Sequence, residues 1–124
     1  MKVSKTALIV EDNLVLSLLY ENYMKQSVFK TVGEIKSGTI AIQLVKKYKP
    51  EVVIMDIKLQ GDIDGITASE EIRKFSEVPI IFVTGNSDIE SISRAKAVKN
   101  SIFLSKPISE EILKNAVDEI LAKA

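Results

Sequence analysis

VVIMD, residues 52–56, is four apolar side chains followed by a carboxylate. A run without polar interruption reads as a strand covered on both faces, as in a parallel sheet between helices. Apolar packing alone does not tolerate a charge at the end of such a strand, so Asp56 asks for a purpose. Three further runs have the same character: TALIV (6–10), IIFV (80–83) and IFL (102–104). FKTVGEI (29–35) is more polar and suits an edge strand.

Helical spacing fills the gaps between these runs. Leu14, Leu18, Leu19 and Tyr23 share one predicted face, and Ile40, Leu44 and Val45 another. Ile66, Ala68, Ile72 and Phe75 form a looser stripe, Ile89, Ile92, Ala95 and Val98 a fourth. Ile108, Ile112, Leu113, Ala116, Val117 and Ile120 form the clearest. The prolines sit at element edges, where a missing N–H costs little: Pro50 after the second helix, Pro79 before a strand, Pro107 before the last helix. The alternation is βα five times over. It predicts an α/β, doubly wound (βα)5 fold with a five-stranded parallel sheet and helices on both faces. The 124 residues suit one domain, taken as residues 1–124.

Composition narrows the function classes. Lysine plus arginine and aspartate plus glutamate number 17 each, so no bulk charge points to nucleic acid or an anionic membrane. The absence of cysteine excludes disulfides, thiolate metal sites and cysteine nucleophiles. The apolar run before Glu11 is too short for a signal peptide or a membrane span, and a cytoplasmic location is expected.

Ligands in open parallel sheets collect at the carboxyl ends of the strands. Those ends carry Glu11 and Asp12, then Asp56, then Thr84, and finally Lys106. In the strand order 2-1-3-4-5 the first and third strands are neighbours, so Glu11, Asp12 and Asp56 meet at the topological switch point. Three carboxylates at that range repel and call for a cation. Mg²⁺ fits, because it takes oxygen ligands and binds through one or two carboxylates together with a phosphate. A carboxylate nucleophile, a metal, an ammonium and a hydroxyl together describe phosphoryl transfer.

The acid pair, the acceptor aspartate, the threonine and the Lys-Pro pair occur in the order and at the spacing of a response-regulator receiver domain of two-component signalling, which the whole chain resembles. That resemblance implies a flavodoxin-like fold and a phosphoryl group passed from a histidine kinase's phosphohistidine to Asp56. It implies Mg²⁺ (or Mn²⁺) held by Glu11, Asp12, Asp56 and the backbone carbonyl of Lys58. Thr84 and Lys106 would bind phosphoryl oxygens, and Phe103 would be the switch aromatic. Lys58 and Asn86 fall at positions that tune phosphoryl lifetime, and Lys106–Pro107 is expected to be cis. The output would be a changed surface on the fourth helix, fifth strand and fifth helix. That surface would meet a downstream protein, a fused output domain or a second copy, with Ser91, Arg94, Lys96, Glu110, Lys114 and Glu119 as exposed candidates. Neither membrane nor direct nucleic-acid binding is expected, and no enzymatic activity beyond phosphoryl acceptance and self-dephosphorylation. The loop KLQGDIDGI is one residue longer than the commonest family form and lacks its proline, which predicts a shifted loop rather than a lost site, and its Asp64-Gly65 pair still marks the start of the third helix.

Each residue also has a plain reading. Asp56, Glu11, Asp12, Asp62 or Asp64 can cap helices or form turns, and Asn13 can share the first cap. Thr84 suits any strand, Lys106 any surface, Phe103 any core, and Tyr20 and Tyr23 helix packing. Other functions fit less well. A phosphatase with an aspartyl nucleophile of the haloacid dehalogenase type needs a carboxylate where Lys58 stands. A flavodoxin-like cofactor binder needs a Ser/Thr/Gly-rich phosphate loop where EDNLVL stands. A degenerate receiver acting only as an interaction module would lack one of the site residues.

Overall fold

The continuous apolar runs become the strands of one sheet. The computed structural model describes residues 5–85 and 88–122, so Asn86 lies outside the described residues. In chain order the elements are β1 (Lys5–Val10), α1 (Leu14–Gln26), β2 (Phe29–Ile35), α2 (Gly38–Tyr48), β3 (Val52–Met55), α3 (Gly65–Arg73), β4 (Ile80–Thr84), α4 (Ile89–Lys96), β5 (Ser101–Ser105) and α5 (Glu110–Ala122). All pairings are parallel and the order is β2-β1-β3-β4-β5. This is the expected doubly wound arrangement, with the polar run 29–35 at an edge.

Alternation along each inner strand divides the core in two. Val53 and Met55 join Leu8, Val10, Ile80 and Phe82 under α2, α3 and α4. Val52 and Ile54 join Ala7, Ile9, Ile81 and Val83 under α1 and α5. Both faces of β1, β3 and β4 are therefore covered, which is why their sequences do not alternate. Side-chain caps start all five helices: Asn13, Ser37, Asp64, Asp88 and Ser109 each accept a hydrogen bond from an N–H in the first turn. Asn13, rather than Asp12, takes the first cap, with Leu16 N donating to its Oδ1 at 3.0 Å.

The helix faces correct the periodicity reading in places. In α1 the buried residues are Ser17, Tyr20 and Met24, while Leu14, Leu18 and Leu19 are exposed. Ser17 Oγ accepts from Glu34 N at 3.0 Å where β2 bulges against β1, and Tyr20 and Met24 pack into the core from the same buried face. Ile40, Phe75, Ile89 and Ile112 are likewise exposed. Among the proposed surface residues, Ser91 and Arg94 are only half-exposed, because each is bonded to a neighbouring carboxylate.

One further expectation holds: Lys106–Pro107 is cis. The loop after β3 is pinned: Gln60 N donates to Lys36 O at 3.0 Å, Gln60 bridges to Ser37, and Gly61 takes φ +95°. That left-handed backbone suits glycine. Among the described residues, no helix is long and apolar enough to cross a membrane.

Candidate functional site

Strand register places the polar rim. Val10 lies opposite Met55, so the residues that follow each, Glu11 and Asp56, emerge side by side. Asp56 N donates to Val10 O at 2.8 Å and Glu11 N to Ile35 O at 2.9 Å, which extends the ladder past the strand ends. On the other flank Thr84 pairs with Ser105, and Lys106 N donates to Thr84 O at 2.9 Å. Asp12, Asp56, Lys58, Thr84, Gly85 and Lys106 line one open cleft of about 430 Å³. Glu11 lies beneath it, 2% exposed.

Three carboxylates converge there. Glu11, Asp12 and Asp56 each bring an oxygen within 4.8 Å of the others. Lys106 Nζ stands between the two buried ones, 2.8 Å from Glu11 Oε1 and 3.3 Å from Asp56 Oδ2. The contact to Glu11 is an ion pair without an aligned hydrogen bond, so among the described residues Glu11 Oε1 is a buried oxygen with no hydrogen-bond donor. Ile57 N donates to Asp56 Oδ1 at 2.8 Å, and Asn13 N to Glu11 Oε2 at 3.0 Å. One ammonium against three carboxylates leaves an excess of negative charge that matches a divalent cation. The donor set is all oxygen, which suits Mg²⁺ or Mn²⁺ rather than a soft metal.

The electrostatics follow from burial. Asp56 is pushed from the ordinary carboxyl value of 3.8 to about 7, first by burial and then by the neighbouring Glu11 carboxylate, against the pull of Lys106. For Lys106, burial alone would lower the pKa, but the adjacent carboxylates of Glu11 and Asp56 raise it above the ordinary lysine value. The lysine is therefore cationic at every physiological pH. Tyr20, buried below this cluster, is raised to about 12, mainly by burial.

A carboxyl whose pKa is higher folded than unfolded stabilises the fold below its unfolded pKa, and that stability is lost as pH rises through the folded value. Metal-free protein is thus expected to lose on the order of 3 kcal/mol through Asp56 between pH 4 and pH 8. Urea unfolding in EDTA at both pH values checks this. Asp56→Asn should flatten that part of the profile and be the more stable protein at pH 8. An identical pH dependence in both proteins would contradict the assignment.

Every predicted cleft residue within the described chain is brought together except Phe103. That ring lies opposite Phe82 in the sheet and is half-buried against the core on the α2–α3–α4 side. Sequence reasoning missed the importance of Gly65. Its N–H donates to Ile57 O at 2.7 Å, and a Cβ at this position would run into the backbone carbonyl oxygen of Asp56. The Asp64-Gly65 pair marked a helix start in the sequence, but nothing local showed which backbone that helix would rest on.

Known proteins bear on this geometry. The family model for the response regulator receiver domain matches residues 7–118. The chain is 31% identical over 116 residues to the transcriptional regulatory protein PdtaR of Mycobacterium tuberculosis, covering 94% of this chain and 56% of PdtaR. It is 27% identical to the chemotaxis protein CheY of Halobacterium salinarum, covering 96% of this chain and 98% of that one. The signal receiver domain of a modulated diguanylate cyclase from Desulfovibrio desulfuricans superposes with TM-score 0.88 at 25% identity, over 98% of this chain and 96% of that one. The chain spans about half the length of the first curated relatives it matches, 56% of PdtaR and 52% of a C4-dicarboxylate response regulator from Priestia megaterium.

Proposed function

This chain belongs to the response regulator receiver domain family, and from that premise we propose that it accepts a phosphoryl group on Asp56 from the phosphohistidine of a histidine kinase. One observation carries the reading: a nearly buried carboxylate at the end of a central strand, 3.3 Å from a lysine ammonium and within 4.8 Å of two further carboxylate ligand atoms. A bare apolar core does not keep such a group without a use for it.

An Asp56 oxygen forms the new P–O bond while the donor's P–N bond breaks, and the imidazole nitrogen that leaves takes a proton. The rigid ladder through Asp56 N holds the nucleophile at the rim. Lys106 and the Thr84 hydroxyl take the phosphoryl oxygens, where preformed positive charge and a donor stabilise the transition state. Glu11, Asp12, Asp56 and the Lys58 carbonyl would hold the Mg²⁺. When bound, the ion neutralises charge on both nucleophile and phosphoryl group. Lys58, exposed at the cleft mouth, is placed to act on access of hydrolytic water. Phe103 couples the site to the α4–β5–α5 surface, where the downstream partner binds. The receiver unit is residues 1–124, and it works as a signalling phosphoprotein rather than as an enzyme with a diffusible substrate.

The kinase needs a face beside the cleft. Leu14, Val15 and Leu18 on the first turns of α1 are exposed. Leu16, Leu19 and Tyr20 form with Lys106, Pro107 and Ile108 an apolar hollow of about 330 Å³ that shares its lysine with the site. A donor helix seated there would lie beside the cleft that holds Asp56, since the two hollows share Lys106.

An aspartyl phosphate is an acyl phosphate and is cleaved by hydroxylamine, whereas phosphoserine and phosphothreonine are not. Label introduced by acetyl phosphate and Mg²⁺ is expected to be hydroxylamine-sensitive. Hydroxylamine-resistant label would contradict the reading.

A further inference from the structure

Within α4 only Ala95 is buried, and Ile89 is 84% exposed, so apolar contact holds this helix weakly. Among the described residues of α4, one side chain makes polar contacts to α3 and its cap, while Arg73 of α3 bonds Lys99 O and Asn100 O in the turn beyond α4. Arg94 Nη1 donates to Asp64 Oδ2 at 3.2 Å, Arg94 Nη2 donates to Thr67 Oγ1 at 3.1 Å, and Glu70 Oε1 lies 3.8 Å away. The other Asp64 oxygen accepts from Thr67 N at 2.7 Å. Asp64 and Thr67 are thus bonded to each other, and both are bonded to the same guanidinium. The planar fork of arginine spans the two, which a lysine cannot do.

The next residue is Gly65, whose N–H bonds to Ile57 O and whose α-carbon is pressed on the Asp56 carbonyl. The first turn of α3 therefore rests on the backbone of the reactive aspartate, and what holds that turn holds residues 56–58.

We propose that Arg94 and Asp64 are positioning residues for the acceptor: the α4 guanidinium fixes the α3 N-cap, and the cap fixes the 56–58 backbone that the metal and phosphoryl group require. This rests on the phosphoacceptor reading. The coupling is reciprocal, so a change at residues 56–58 alters how firmly α4 is attached.

Two substitutions test it. Arg94→Gln removes the fork. Asp64→Asn keeps the cap, since asparagine caps as well as aspartate, but loses the charge pair. In metal-free protein, amide exchange at Ile57, Gly65 and Thr67 is expected to accelerate about 3–10-fold in either variant, while the amides of β1 and β4 keep wild-type rates. Mg²⁺ affinity and the rate of labelling by acetyl phosphate are expected to fall by a similar factor of about 3–10, with the double variant no worse than Arg94→Gln alone. Wild-type exchange and wild-type Mg²⁺ affinity in both single variants would overturn the proposal. So would a uniform rise in exchange across the sheet, which is the mark of a merely structural contact. A wild-type protein that binds no Mg²⁺ and takes no label would sink the phosphoacceptor reading, while the metal-free exchange measurement still decides whether Arg94 holds the 56–58 backbone.

Discussion

Asp12→Ala is expected to lower Mg²⁺ affinity by at least about 100-fold and to abolish Mg²⁺-dependent labelling, without harm to the fold. Asp12 is the half-exposed carboxylate of the three and has no part in capping α1, because Asn13 fills that position. Its removal takes one negative charge from a cluster in which Glu11 and Asp56 already share a single ammonium. Repulsion in the metal-free protein then falls, so the variant should unfold at an equal or higher urea concentration than wild type at pH 8. Calorimetric titration with Mg²⁺ and urea unfolding, run on the same preparation, check both parts. Unchanged affinity would move the metal elsewhere, and a destabilised variant would assign Asp12 a structural role.

Gly65→Ala is expected to be the most damaging small substitution in the chain. The added methyl group would meet the Asp56 carbonyl oxygen, a backbone atom inside the continuation of β3 that cannot turn aside as a side chain would. Either α3 lifts off or residues 56–57 shift, and the Gly65–Ile57 hydrogen bond is lost in both cases. We expect a loss of about 3 kcal/mol or more in urea unfolding, at the upper end for overpacking. The surviving folded protein should label at least about tenfold more slowly, because an acceptor displaced by an ångström loses its alignment. Stability within about 0.5 kcal/mol of wild type would show that the approach of α3 to the acceptor is not tight.

How much could be read from the chain depended on the range of the interaction. Strands covered on both faces leave continuous runs such as VVIM and IIFV, and topology then places whatever follows them at one rim. The meeting of Glu11, Asp12, Asp56, Thr84 and Lys106 at one rim was therefore legible from the chain alone. Helix faces were less so. The leucines of α1 outnumber its buried residues, and the buried face of Ser17, Tyr20 and Met24 includes a hydroxyl that bonds to a bulge in another strand. Spacing within one helix does not encode that. Arg94 was read as a surface residue because its partners Asp64 and Thr67 lie about thirty and twenty-seven positions away. Gly65 was visible only as a helix start, and its contact with Asp56 is a product of packing.

The most direct test of the central claim is the intact mass of the protein after incubation with acetyl phosphate, with Mg²⁺ and with EDTA, for wild type and Asp56→Asn. The account predicts a gain of one phosphoryl group, about 80 Da, in the wild type with Mg²⁺ and in no other sample. A stoichiometric gain that persists in Asp56→Asn, or one indifferent to chelation of the metal, would contradict it.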